Sequence, residues 1–584
     1  MNFRFFLMVA SIGMFLGCAG GSVATSEFPE NRSKEEVRIV LKSEPPTLNP
    51  LLSVQSITRY VAEQIFQTLN RQNPNTYALE PALASVPTVK QLPQGGMAYD
   101  YRIDSLARWP NGSRVTASDV LFSLKAMLNP LVDAGPYRPY YSMIDDVLIT
   151  SPDSLSFRVI TKRPYFLSAQ AIGDLYVYPA YAYDPEGFLE DVAVSDLTDP
   201  VSADRVSKTD DRLHRFADNF NSPAWGYDPE RVVGSGPYAL EYWKPGQRIR
   251  LSLREDYWAK GRKEEYLKGV PQTLTFEIIS DNTTTANALR DQLVDIVMDL
   301  PIDQFVNLRN EAYLQEIYNF VSIPSFKYYS ILLNQDDPLL GDSLTRRALA
   351  HLVDVDLIIQ NFFPDLAQRV SGPVLPSKDY YNRSLPPIDF DLEKARKLLK
   401  QAGWVDSNGN GILDREVAGE RRELSFTLMS YTNPTSEGIC LYVAQTAAKV
   451  GIDIIVTRQE GRALIEKLNT GEFTASFYGL GFEPSPDDFS QVWASASVPP
   501  SGTNRGNFRN PEADSLIRQI AATTDSSARA PLYQRFQEII YQNQPMIFLY
   551  SPEAPLVIAK RLEYTLTPLA PNLHFNAIQV RPAS

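Results

Sequence analysis

Between Leu424 and Phe482 the hydrophobic period of the chain switches four times, and this alternation constrains the fold more than any other feature. Leu424–Tyr431 reads as a strand, Thr435–Val450 as a helix, Ile452–Arg458 as a strand and Arg462–Asn469 as a helix. Phe473–Phe482 is then an apolar, aromatic-rich run without a charge, again a strand. A βαβαβ run folds as a mainly parallel sheet with helices on its faces. The last strand breaks at Glu483-Pro484-Ser485-Pro486-Asp487-Asp488, where two prolines in three residues can neither continue a helix nor pair as an inner strand. Ligands of open α/β sheets sit outside the carboxyl ends of the strands. The Glu483–Asp488 loop leaves such an end and is expected to wall a ligand site.

A chain of 584 residues is too long for one core, so several domains are expected. A net charge of −13, with no long basic run, argues against a nucleic-acid partner. The two cysteines are Cys18 and Cys440, and Cys18 belongs to a leader. Cys440, in the apolar run Ile439-Cys440-Leu441, reads as a small buried hydrophobe. A nucleophilic role would want a neighbouring histidine, and His214, His351 and His574 are all distant in sequence. So few histidines also argue against a histidine-ligated metal, and no cofactor is expected. No H-E-x-x-H, G-x-S-x-G or phosphate-binding P-loop is present. A secreted hydrolase working through paired carboxylates is the competing class.

Met1–Gly17 has Arg4 near its start and an apolar stretch from Phe5 to Leu16, the layout of a signal peptide. It ends in Phe15-Leu16-Gly17-Cys18, which resembles the bacterial lipobox, although Phe15 stands where leucine is commoner. That resemblance implies lipidation of Cys18 and a stable membrane anchor. Ala19–Glu36, rich in Gly, Ser, Thr and charge, reads as a tether. No later stretch has 18 consecutive apolar residues, so the rest is expected to be soluble.

Further along, Val37–Leu41 is a short strand, Glu44–Pro50 a proline-stiffened loop, and Thr58–Leu69 a helix with Val61, Ile65, Phe66 and Leu69 on one face. Tyr99–Leu128 reads as a strand, a turn at Asn111-Gly112 and a helix capped by Ser118. Asp391–Gln401 carries Leu392, Ala395, Leu398 and Leu399 at helical spacing, with Gly403 ending the helix. Asp406–Asp414, DSNGNGILD, matches an EF-hand at its first, third, fifth and sixth positions. The twelfth is Val417, where calcium needs a bidentate glutamate, so a tight Asx-rich turn is the better reading.

Several of these pieces, in order, resemble the family 5 extracellular solute-binding proteins of ABC importers, the group containing dipeptide-, oligopeptide- and nickel-binding proteins. They are Pro46-Thr47-Leu48-Asn49-Pro50, the run Trp109–Val120, Val233-Gly234-Ser235-Gly236-Pro237-Tyr238, Asp256-Tyr257-Trp258, Arg346-Arg347-Ala348-Leu349 with Asp354, and DLEKARKLLKQAGW from Asp391 to Trp404. The resemblance implies an α/β, two-lobed, periplasmic-binding-protein-like II fold with a subdomain inserted in lobe one. It divides the chain into a signal peptide (1–17), a lipidated tether (18–36), lobe one (37–72, 225–322 and 551–584), the insertion (73–224) and lobe two (323–550). Within the insertion, Asp184–Asn221 is poorly patterned and is expected to be a long loop region.

What the resemblance implies for function is capture without chemistry. An extended ligand, a peptide in many members, lies between the lobes and bonds to main chain, at positions matching Val54 and Gln55 in lobe one and Tyr478 and Leu480 in lobe two. Peptide-binding members place an aspartate four residues before the loop proline, where it pairs with the ligand's amine. Here that residue is Phe482, so either Glu483 supplies the carboxylate or the ligand has no free amine there. Tyr478 and Phe482 share strand parity as an aromatic floor or as core, while Asp487 is either a site residue or, with Asp488, a solvated loop charge. The implied partners are a permease and its ATPase, with the chain a monomer, lipid-anchored in the cell envelope on the periplasmic or outer face of a membrane. A lipoprotein that keeps the binding fold without import is the third reading.

Overall fold

The computed structural model describes residues 35–482 and 484–581. The signal peptide, Cys18 and Glu483 lie outside the described residues, as does all but the end of the tether.

Lobe one is built on β1 (Glu36–Leu41), β2 (Tyr238–Lys244), β3 (Arg248–Leu253), β4 (Thr273–Ile278) and β5 (Ile296–Met298). They run in the order β2-β3-β4-β1-β5, with β1 parallel to β4 and to β5. Every residue of β1 is buried, which fits a central strand covered on both faces. β6 (Tyr318–Pro324) leads directly into β7 (Lys327–Leu333) of lobe two. There β8 (Ser425–Tyr431), β9 (Asp453–Gln459) and β10 (Ala475–Gly481) follow, in the order β9-β8-β10-β7. β11 (Met546–Ala559) joins the lobes. Its first residues pair with β7, and its last with β5 and β6. The chain therefore passes between lobes at Ser325-Phe326 and again at Ser551-Pro552, and Ser551 Oγ donates to Ser325 O at 3.2 Å.

Each lobe has its own core. Val37, Ile39, Phe276, Val297 and Val557 belong to the first; Ile331, Leu428, Ile439 and Phe477 fill one face of the second sheet. Tyr328, Tyr478, Phe489, Trp493 and Phe536 fill its other face. This is the expected two-lobed α/β fold, with one correction. β10 is antiparallel to β7 along its whole length and parallel to β8 at only two positions, Leu428 with Ala475 and Met429 with Ser476. The mainly parallel reading missed β7 because that strand arrives from a separate part of the chain.

Other expectations shift locally. The helix expected over Thr58–Leu69 is α1, Ser56–Ala62; beyond it Ile65 and Phe66 remain buried in irregular chain. α2 (Ala117–Leu128) is capped by Thr116, not Ser118: Thr116 and Asp119 form a reciprocal capping box. Asp119 also accepts from Trp109 Nε1 at 3.3 Å, so that motif is structural. Asp184–Asn221 is not a loop region. It holds three helices, Val194–Thr198, Pro200–Thr209 and α3 (Asp211–Phe220), the last burying Leu213, Phe216, Ala217 and Phe220. Gly234 and Gly236 are fixed by space, since a Cβ on either would lie 2.1 Å from Ile65 O or 2.6 Å from Gln64 O. The helix read over Asp391–Gln401 is α4 (Leu392–Gln401), capped by Asp391. In the Asp406 loop, Gly409 N and Gly411 N donate to the Asp406 carboxylate at 2.7 and 3.0 Å, an Asx-rich turn as expected.

Candidate functional site

The carboxyl end of β10 lies between α5 (Pro434–Ala448) and α6 (Gly461–Thr470) upstream in the chain and α7 (Pro511–Ala522) and α8 (Ser526–Asn543) downstream. Its two edges differ. Toward β7, Asn334 N donates to Thr474 O at 2.9 Å and Phe482 N to Phe326 O at 2.7 Å. Bonded and non-bonded pairs alternate along an antiparallel ladder. Residues 474, 476, 478, 480 and 482 therefore spend their main-chain groups on β7. Phe477, Gly479 and Gly481 turn theirs to the opposite edge. β8 has left that edge by Ser476, so no strand covers it from Phe477 onward among the described residues.

The ladder thus turns the main-chain groups of Tyr478 and Leu480, the expected ligand contacts, toward β7. Edge parity is shifted by one residue, and a one-residue shift exchanges every partner. The groups on that edge are those of Gly481 and the Gly479 carbonyl, since the Gly479 N–H is taken by the Tyr431 phenol oxygen. Tyr431, at the end of β8, stands in the gap: burial raises its phenol pKa, and a hydrogen bond from the Gly479 backbone works the other way. Tyr478 itself is core, 3% exposed, with its hydroxyl accepting from Arg505 Nη1 at 2.8 Å. Leu480 and Phe482 are half-buried on the same face, and the Phe482 ring lies 5.0 Å from that of Tyr328. The even-numbered side chains thus wall a core; Thr474, Leu480 and Phe482 keep an exposed part.

The loop after β10 is anchored from within. Lys378 Nζ donates to Pro484 O at 2.9 Å and to Ser485 O, and lies 3.6 Å from Asp487 Oδ1. Tyr380 donates to Asp487 Oδ2 at 2.9 Å, and Tyr533 to Asp487 O at 2.5 Å. Burial raises the Asp487 carboxyl pKa and Lys378 opposes that rise. Asp487 is therefore not a solvated charge: its carboxylate is taken by Lys378 and Tyr380. The alternation of apolar residues gave no sign of this, because the partners are more than a hundred residues away. Asp488 accepts instead from Tyr165 of the inserted segment at 2.8 Å.

On lobe one, Val54 is 63% exposed and Gln55 is exposed at the start of α1. Neither is bonded to β10 among the described residues. A hollow of about 670 Å³ opens elsewhere on lobe two, lined by Thr427, Met429, Thr457, Gln459 and Lys467 among others. Its lining includes none of residues 477–482, so the open strand edge is the better candidate. Cys440 is buried, and desolvation pushes its thiol up to about 12, which removes it as a nucleophile at neutral pH. Among the described residues no helix is long and apolar enough to cross a membrane.

The sequence matches the family described as bacterial extracellular solute-binding proteins, family 5 middle, over residues 78–501. It is 26% identical over 577 residues to the oligopeptide-binding protein AppA of Bacillus subtilis, covering 95% of each chain. The structure of that protein with a nonapeptide superposes with a TM-score of 0.69 at 21% identity, over 94% of this chain and 99% of that one. The glutathione-binding protein GsiB of Escherichia coli is 23% identical over 554 residues, covering 93% of this chain and 92% of its own. NikA from Brucella suis, in complex with Fe(III)-EDTA, superposes with a TM-score of 0.74 at 19% identity, over 94% of this chain and all of that one.

Proposed function

Because the chain belongs to the bacterial extracellular solute-binding proteins of family 5, we propose that it captures an extended peptide between its lobes for an ABC importer and releases it unaltered to a membrane permease. The family binds solutes for transport and is not enzymatic, so the hydrolase reading falls away. One observation carries the peptide assignment: among the described residues the edge of β10 from Phe477 to Gly481 has no strand beside it, at the carboxyl end of the sheet. A peptide laid along that edge completes the ladder by β-augmentation, with Gly481 supplying donor and acceptor, Gly479 supplying its carbonyl, and Tyr431 holding the Gly479 N–H. Main-chain bonding of this kind tolerates varied side chains.

In this reading Ser325-Phe326 and Ser551-Pro552 form the hinge, Val54 and Gln55 meet the peptide from lobe one, and closure follows from contacts made only in the closed state. Lipidation at Cys18 would tether the monomer to the membrane. Energy would come from the transporter's ATPase, since this chain has no P-loop.

The test is capture. The full chain is incubated with synthetic peptides of two to nine residues and washed, and bound peptides are identified by mass spectrometry while tryptophan emission reports closure. Retention of peptides with a saturable emission change and no cleavage is expected. Retention of none at any length would overturn the peptide reading.

A further inference from the structure

On lobe two, α4 carries exposed cations from its first turn to its last. Lys394 stands in the first turn, where the partial positive charge of a helix N-terminus favours an acid. Lys397 and Lys400 follow at three-residue spacing, and like charges so placed repel on a helix surface. α4 packs on the helix Ser343–Ala350, which presents Arg347 to solvent. Burial lowers the pKa of His351, at the end of that helix, and the Lys394 and Arg347 charges both add to the effect, so these two cations lie near one residue. Arg396 Nη2 donates to Lys449 O at 2.6 Å, which brings exposed Lys449 alongside α4. Among the described residues no carboxylate lies in ion-pair range of Arg347, Lys394, Lys397, Lys400 or Lys449. The acids of the same segment are already engaged: Asp391 accepts from Lys394 N at 2.9 Å as the cap of α4, and Glu393 pairs with Arg396 at 2.5 Å. Five cations without a counter-charge thus share one patch, in a chain whose net charge is −13. Phe390, 38% exposed, immediately precedes the cap.

We propose that this face of lobe two, centred on α4, rests on an anionic phospholipid surface. Repulsion within the patch costs stability in the free chain, and an anionic surface offsets it on contact. The chemistry favours a bilayer over a protein partner. Four of the five cations are lysines, compact point charges on flexible stems, which suit a diffuse anionic surface. Protein interfaces are depleted in lysine and built on buried aromatic and arginine anchors. A lysine stem lies along apolar surface while its ammonium stays among the phosphates, and an exposed phenylalanine beside it suits the headgroup boundary. The inference does not depend on the peptide reading of the β10 edge.

The experiment uses the full chain, held on vesicles by a C-terminal histidine tag and a nickel-chelating lipid, so that attachment does not depend on the patch. A fluorophore on Gln401→Cys, at the exposed end of α4, is quenched by headgroup spin labels when that face meets the lipid; Cys440 is buried and stays unlabelled. Vesicles are phosphatidylcholine alone or an equal mixture with phosphatidylglycerol. Quenching is expected in the mixture and not in phosphatidylcholine, and it should fade as salt is raised. Replacing Lys394, Lys397 and Lys400 together by alanine should lower the contact equilibrium by about a hundredfold, each cation near the surface contributing about fivefold. Equal quenching on the two lipids, or quenching in the mixture that survives the triple replacement, would overturn the proposal. Absence of quenching on both would overturn it too, and binding of immobilised polyglutamate by wild type but not by the triple variant would then assign the patch to an acidic protein. Thermal unfolding checks the fold; if the triple variant does not fold, the lipid and salt comparisons on wild type decide.

Discussion

Tyr165 of the inserted segment donates its hydroxyl hydrogen to Asp488 Oδ2 of lobe two at 2.8 Å. Beside it Phe166 N donates to Ala521 O at 3.2 Å, and the Arg529 guanidinium lies 4.6 Å from the Phe166 ring. The inserted segment therefore reaches lobe two through contacts that involve no ligand. Asp488 belongs to the loop that leaves the open strand, so in the proposed reading ligand and inserted segment act on the same few residues.

Removing one neutral-to-charged hydrogen bond costs about 1.5 kcal/mol. Tyr165→Phe should therefore weaken the affinity for a captured peptide by roughly tenfold. The peptide's own contacts stay in place, so the loss comes entirely from a less favoured closed state. Small-angle scattering of the ligand-free variant should show a larger mean dimension than wild type. Unchanged scattering together with unchanged affinity would mean that the contact does not bias closure.

Strand addition makes a distinct prediction for the ligand. Only alternate residues of an added strand face Gly479 and Gly481, so only alternate ligand amides are needed. A series of peptides N-methylated one position at a time should lose affinity at every second position, by roughly tenfold each. Isothermal titration of the series gives the pattern directly. A uniform response along the peptide would rule out strand addition. On the protein, Gly479→Ala should cost about 1–3 kcal/mol of stability, because a Cβ there would sit 2.9 Å from the Tyr329 ring. Gly481→Ala has open space around it and should be close to neutral.

How much of this was readable in the chain depends on the range of the forces involved. The helices and strands from Ser425 to Gly481 follow the expected βαβαβ order because their periodicity is local and strong. The edge parity of β10 was not readable, because it is fixed by β7, contributed by residues 327–333. The role of Asp487 was hidden for the same reason: Lys378 and Tyr380 come from another part of the lobe. The helices between Val194 and Phe220 were missed because they are short and mostly polar, and their burial comes from neighbours elsewhere in the inserted segment.

The Lys378–Asp487 pair should be the most sensitive point of the loop. Both side chains are almost fully buried, at 3% and 6% exposure, and Lys378 also holds the carbonyls of Pro484 and Ser485. Removing one member leaves an uncompensated buried charge, at about 3–5 kcal/mol. Lys378→Met should approach that value, since it takes the counter-charge from the carboxylate, which keeps only Tyr380, and the donor from two carbonyls. Asp487→Asn should cost less, because Lys378 keeps its carbonyl partners. Denaturant unfolding of lobe two reads both. Equal losses would mean that the carbonyl bonds contribute nothing.

His574 gives the clearest pH signature. Burial is the main cause that lowers its pKa, with the Arg71 and Lys268 charges adding to it, from 6.5 to about 3. Below 6.5 the unfolded chain takes up a proton that the folded chain refuses. The stability present above that pH is therefore lost as pH falls toward 3, at up to about 1.4 kcal/mol per pH unit. Carboxylates titrate in the same window, so the informative quantity is the difference between wild type and His574→Gln. Between about pH 7 and pH 4.5 wild type should lose roughly 2–3 kcal/mol more than the variant, measured by urea unfolding at each pH. A glutamine carries no proton to gain and keeps hydrogen-bonding capacity at the site, so its curve isolates the imidazole. Parallel curves for the two proteins would show that His574 titrates normally in the folded state.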